Sequence, residues 1–125
     1  AAFMKSRALV ACAALQGFLA VAFGAFAAHG VNEEIAKGWL ETGARYEAIH
    51  ALAALVVTLL PVRLARLAGW LFITGAALFA FSLYAMAFDA PRALGMMTPL
   101  GGLALLGGWA ALFIGALTTR TEKTP

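Results

Sequence analysis

Long apolar runs separated by short charged interruptions set the pattern of this chain. Residues 8–28 carry no charged side chain. At about 1.5 Å per residue such a run reaches roughly 31 Å, enough for one membrane crossing. Further stretches follow over residues 40–62, which holds Glu41, Arg45 and Glu47 in its first third, and over the uncharged 67–88 and 99–117, so the pattern predicts four crossings in one all-α transmembrane domain over residues 1–125. The breaks carry helix-ending signals. His29-Gly30 closes the first run and Pro61 the second. Asp89-Ala90-Pro91-Arg92 forms a polar turn, and Pro99 suits a first helical turn. Between the first two runs, Asn32 reads as an N-cap ahead of Glu33 and Glu34. A short interfacial helix is expected over residues 32–37, closed by Gly38, with Trp39 at headgroup depth. The expected architecture is a four-helix bundle with this interfacial helix between helices one and two.

Two features of the first run also fit a secretory signal: Lys5 and Arg7 ahead of it, and Ala25-Phe26-Ala27 as a small-residue cleavage site. The run is long for that role, and a crossing is the preferred reading. Segment ends on one side hold Lys5, Arg7, Arg63, Arg66, Arg120 and Lys123; those on the other hold Lys37, Arg45 and Arg92. This bias places both termini in the cytoplasm, as for a protein of the bacterial inner membrane.

Composition agrees. Hydrophobic residues make up 63% of the chain and charged ones 12%, more apolar surface than a soluble domain of this size can hide. The net charge of +3 sits at segment ends, where topology explains it, so no nucleic-acid partner is expected. Membrane lipid is the expected partner, and a homo-oligomer is expected as well. Gly17 and Gly24, and again Gly101, Gly108 and Gly115, recur at heptad spacing. Such seams let helix backbones approach where lipid removes the hydrophobic drive, and the spacing favours left-handed packing.

The polar residues inside the runs are few. Read as a helix, residues 43–59 put Gly43, Tyr46, Glu47, His50, Ala53 and Val57 on one side and Leu52, Leu55, Val56 and Leu59 on the other. His50 lies about 12 Å below Thr42, near mid-bilayer, and Gln16 reaches a similar level from the opposite side. An imidazole at that depth needs partners or a function, so His50 is expected inside the bundle, neutral at pH 7. Its partner is either Gln16 or a nearby carbonyl, or else it forms the base of a pocket under Tyr46 and Glu47. Ser82 and Tyr84 lie toward the same end, with His29 and Thr98 at the rim. Each has a plain structural use: Gln16 as a helix cross-link, Tyr46 and Tyr84 as interfacial anchors, Ser82 bonding its own helix. Together they suggest an outward-facing polar pocket lined by Gln16, His29, Tyr46, Glu47, His50, Ser82, Tyr84 and Thr98. No HExxH, phosphate loop, GxSxG or CxxC occurs, and Cys12 is alone. Neither enzyme activity, metal nor other cofactor is therefore expected. The function expected is binding of a small ligand, lipid headgroup or partner; the alternative is an oligomeric transporter of a small solute, proton or cation.

Four motifs carry a resemblance: Gly24-Ala25-Phe26-Ala27-Ala28-His29-Gly30, Tyr46-Glu47-Ala48-Ile49-His50-Ala51-Leu52-Ala53, Phe79-Ala80-Phe81-Ser82-Leu83-Tyr84, and Thr98-Pro99-Leu100-Gly101-Gly102 with Gly108-Trp109. In order, spacing and chain length they resemble the small membrane proteins of domain-of-unknown-function family 423. The first motif departs by Ala27 where that family has a second glycine, the next by Glu47 where glutamine is frequent. The resemblance implies a four-helix integral membrane protein and no particular activity.

Overall fold

The computed structural model describes residues 2–121, with side chains from residue 5 onward. It holds four α-helices: α1 (Ala2–His29), α2 (Glu34–Val57), α3 (Ala65–Ala87) and α4 (Met97–Thr118), the last preceded by a 3-10 turn, Arg92–Met96. Lys123, counted above with the basic segment ends, lies outside the described residues.

The start of α2 corrects the expected interfacial helix. Residues 32–37 do not form a separate element; the helix begins at Glu34 and runs through Gly38 without a break. Glu33, not Asn32, is the N-cap, its carboxylate accepting from the Ala36 amide. A glycine inside a helix costs only about 1 kcal/mol, too little to end one that is capped before it and packed after it. The other end of α2 comes earlier than the apolar run suggested. Thr58, Leu59 and Leu60 donate to carbonyls three residues back, tightening the last turn. Pro61 disfavours helical backbone at the residue before it.

The central helix is α3, which packs against each of the other three. Its innermost stripe is Ala68, Phe72, Ala76, Ala80 and Tyr84, recurring every four residues. Mostly small side chains let its neighbours come close. α4 meets it along Gly101 and Gly108 and meets the α2–α3 turn at Gly115, all three buried. A Cβ at Gly101 would lie 2.7 Å from the Gly75 carbonyl oxygen and 2.9 Å from Phe79 Cα. At Gly115 it would run into the Arg63 carbonyl. The expected glycine seam of the fourth helix therefore exists. That of the first does not: a Cβ at Gly17 would meet nothing within 4 Å, and one at Gly24 would make ordinary contact with Ala44, at 3.6 Å.

α1 and α2 lie antiparallel along their length. Ala27 and Leu40 share one apolar cluster near one end, and near the other Leu9 and Val57 both press on Gly69. α2 thus covers the same height as its neighbours, and its 24 residues span about 36 Å. Three segments are long and apolar enough to cross a membrane: Lys5–His29, Ala65–Ala87 and Arg92–Thr118. α2 falls short because it carries Glu34, Lys37, Glu41, Arg45 and Glu47. Lys5, Arg7, Arg63, Arg66 and Arg120 gather at one end of the molecule, where Arg66 donates to the Lys5 carbonyl and the Arg63 amide to Thr119. Among the described residues every carboxylate except Glu47 lies at the other, mixed-charge end.

Candidate functional site

The polar side chains within the helices form four separate braces. The first is Gln16, buried on α1, whose Nε2 donates to the Ile73 carbonyl of α3 at 2.8 Å. Its Oε1 finds no partner. Because Gln16 is spent on α3, it is not the partner of His50.

Glu47 is fully buried, with 0% exposure. The Tyr84 hydroxyl donates to its Oε1 at 2.8 Å, joining α2 to α3, while Oε2 is unpartnered. Two features fix the phenol: Phe23 of α1 stacks on it with ring centroids 4.0 Å apart, and Gly43 leaves the space it fills. A Cβ at Gly43 would sit 2.7 Å from the ring. This is an unusual place for a carboxylic acid, since a fully buried carboxyl with one oxygen unpartnered is costly.

His50 is 5% exposed and bonded through both nitrogens. Nδ1–H donates to the Tyr46 carbonyl at 2.7 Å, one turn back, which leaves Nε2 to accept from Trp109 Nε1–H at 3.0 Å. A ring that donates from one nitrogen and accepts at the other is a neutral imidazole. Its place inside the helix assembly is as expected, and the bond links α2 to α4. Phe72 packs under both rings, at 5.5 Å from His50 and 4.7 Å from Trp109, in space left by Gly108. The fourth brace joins α3 to the first turn of α4. Ser82 donates to the Phe79 carbonyl at 2.9 Å, so at its 2.6 Å contact with Thr98 it is the acceptor.

Of the eight residues singled out from sequence, the structure joins Glu47 with Tyr84 and Ser82 with Thr98. Gln16 and His50 bond elsewhere, Tyr46 is 41% exposed, and His29 is exposed at the end of α1. They do not line one cavity. Two hollows matter instead. A lateral groove of about 670 Å³ runs between α2 and α4 over Phe79 of α3, with Tyr46, Ile49 and His50 on one wall and Gly102, Leu106 and Trp109 on the other. A cleft of about 750 Å³ opens at the mixed-charge end between the α1–α2 turn and the α3–α4 connection, where Asn32, Glu33, Trp39, Asp89 and Arg92 meet. Sequence reasoning named Trp109 only within a motif and Trp39, Asp89 and Arg92 only as topology markers. Their pairing across helices leaves no periodic trace.

Comparison with known proteins gives the chain its relatives. Residues 23–102 match the family model described as "Protein of unknown function (DUF423)". A "UPF0382 membrane protein" of Haemophilus influenzae is 40% identical over 124 residues, covering 94% of this chain and 99% of that protein. The "UPF0382 inner membrane protein YgdD" of Escherichia coli K12 is 37% identical over 128 residues, covering 95% and 96%. The "UPF0382 membrane protein YwdK" of Bacillus subtilis is 38% identical over 112 residues, covering 83% and 91%. No solved structure matches the chain. With a family model over most of its length and relatives matched nearly end to end, the chain belongs to the DUF423 family of small membrane proteins of unknown function.

Proposed function

We propose that the protein crosses the inner membrane four times, with both termini cytoplasmic, as a non-enzymatic binding protein. The lateral groove then holds the apolar chain of an amphiphile. The fourth crossing rests on α2 running antiparallel to α1 over its full height. Its buried carboxyl is bonded to Tyr84, and its other charges lie toward the mixed-charge end. Its apolar length alone does not require a crossing. The orientation rests on the cluster of basic residues at one end. The relative named as an inner membrane protein supports the choice of membrane.

The observation that carries the binding role is the groove itself. It is open sideways, where lipid would lie, and its walls are nearly all apolar. His50 and Trp109 satisfy one another, so the wall offers no unmet polar demand except the Tyr46 hydroxyl near the rim. Such a surface suits a hydrocarbon chain, at about 0.8 kcal/mol for each methylene buried from water and less from lipid. Its test is native mass spectrometry of the protein released from nanodiscs. Gly102 faces the groove and a Cβ there would meet nothing within 4 Å, so Gly102→Leu fills the groove without disturbing the helices. Bound amphiphile lost in Gly102→Leu and kept in Gly17→Leu supports the role. Equal retention by both rejects it. The same spectra report mass, and hence whether the protein is the homo-oligomer proposed.

A second role is favoured by one observation, the unpartnered Glu47 Oε2. A proton or cation pathway needs an ionisable group of this kind at depth. Proton flux in liposomes that Glu47→Gln abolishes would establish transport; absence of flux in the unaltered protein removes it.

A further inference from the structure

The cleft at the mixed-charge end has chemistry that the groove lacks. Two carboxylates, Glu33 and Asp89, and one guanidinium, Arg92, lie around a single hollow. Among the described residues none of the three is in an ion pair within 4.0 Å. Glu33 spends one oxygen on the Ala36 amide and keeps the other. Arg92 lies over the Trp39 ring, 5.3 Å from its centroid, a cation–π contact between two residues of the cleft lining. The same lining holds Phe26 and Phe88, whose rings stack at 5.6 Å. The cleft therefore presents charges of both signs together with aromatic side chains in one lining, which includes Trp39.

We infer that this cleft binds an ammonium–phosphate zwitterion, the chemistry of an ethanolamine phospholipid headgroup. Arg92 takes the phosphate through its forked N–H donors, and Glu33 with Asp89 takes the ammonium. The aromatic part of the lining suits a phosphate still joined to a glycerol backbone. A phosphate alone would leave two carboxylates facing an anion, and an amine alone would face Arg92, so a ligand with both charges is the one that complements the cleft.

The test uses the full chain in nanodiscs of equal parts phosphatidylethanolamine and phosphatidylglycerol, with retained lipid read by native mass spectrometry. The ethanolamine lipid is expected to be retained about fivefold over the glycerol lipid, the size of one partly exposed charge contact. In the double variant Glu33→Gln, Asp89→Asn the ratio falls to about one. Glutamine keeps the capping oxygen, and asparagine tolerates the left-handed backbone at residue 89, φ 69°, so folding is preserved. Arg92→Gln lowers retention of both lipids. Equal retention by the unaltered protein, or a preference that survives the double variant, overturns the inference. Free O-phosphoethanolamine distinguishes the source: displacement of the lipid identifies a soluble ligand of the same chemistry, and no displacement with the preference intact identifies the headgroup. In Gly102→Leu, which takes groove-bound lipid out of the count, the ethanolamine preference must persist, and its loss there overturns the assignment to the cleft.

Discussion

Gly101 and Gly102 are neighbours on α4 with opposite surroundings, and replacing each by alanine reads the packing of α3 and α4 directly. At Gly102 a Cβ meets open space. Alanine there gains the intrinsic helix preference over glycine, at most about 1 kcal/mol. At Gly101 the same atom meets the Gly75 carbonyl at 2.7 Å, Phe79 Cα at 2.9 Å and, closer still, the Phe79 amide. All three are backbone atoms, so no rotamer change relieves the overlap; the helices must separate. Overpacking of this kind costs about 3 kcal/mol at its upper range, leaving a net loss of roughly 2 after the helix preference is counted. The two variants should thus differ by about 3 kcal/mol and in opposite directions. Thermal unfolding in mild detergent, followed by tryptophan fluorescence, measures it. Equal midpoints for the two alanines would refute the close approach of α3 and α4.

Three further outcomes follow from the braces. His50→Leu strips Trp109 of its acceptor and should cost about 0.6–1.7 kcal/mol, the range for hydrogen bonds between membrane helices, while His29→Leu at an exposed end stays within about 0.5; unfolding midpoints compare them. Tyr84→Phe leaves a fully buried carboxyl without a donor and should lower the midpoint by more than Glu47→Gln, which retains an acceptor for the phenol; a double-mutant cycle with both gives the coupling. Gly115→Ala should destabilise the basic end, because the Arg63 carbonyl occupies the space, and proteolysis of the α2–α3 turn would report it.

Much of the fold is legible because lipid demands long uncharged runs and charged turns. The glycines of α4 announced their seam by heptad spacing, and the buried face of α2 followed from the grouping of Gly43, Glu47 and His50. What failed has physical causes. Gly17 and Gly24 share that spacing, yet the face of α1 that meets protein is that of Leu9, Ala13, Gln16 and Ala20, marked in the sequence by Gln16 and not by the glycines. Gly38 looks like a stop, but local propensity yields to a good cap and a packed face. The polar residues suggested one pocket because depth along a helix is readable from sequence, whereas rotation about the axis is not. Glu47 and His50 sit three residues apart and reach different helices, α3 and α4. Trp109, the acceptor's true partner, gave no signal beyond its place in a motif.

The placement of groove and cleft depends on α2 crossing the membrane despite its charges. Cysteine labelling in intact cells tests this most directly. In a Cys12→Ala background, Glu34→Cys and Arg63→Cys carry single thiols that the proposed topology puts just beyond opposite faces of the membrane. A membrane-impermeant maleimide should label residue 34 in intact cells and residue 63 only after permeabilisation; labelling of both positions from the same side would contradict the proposed four crossings.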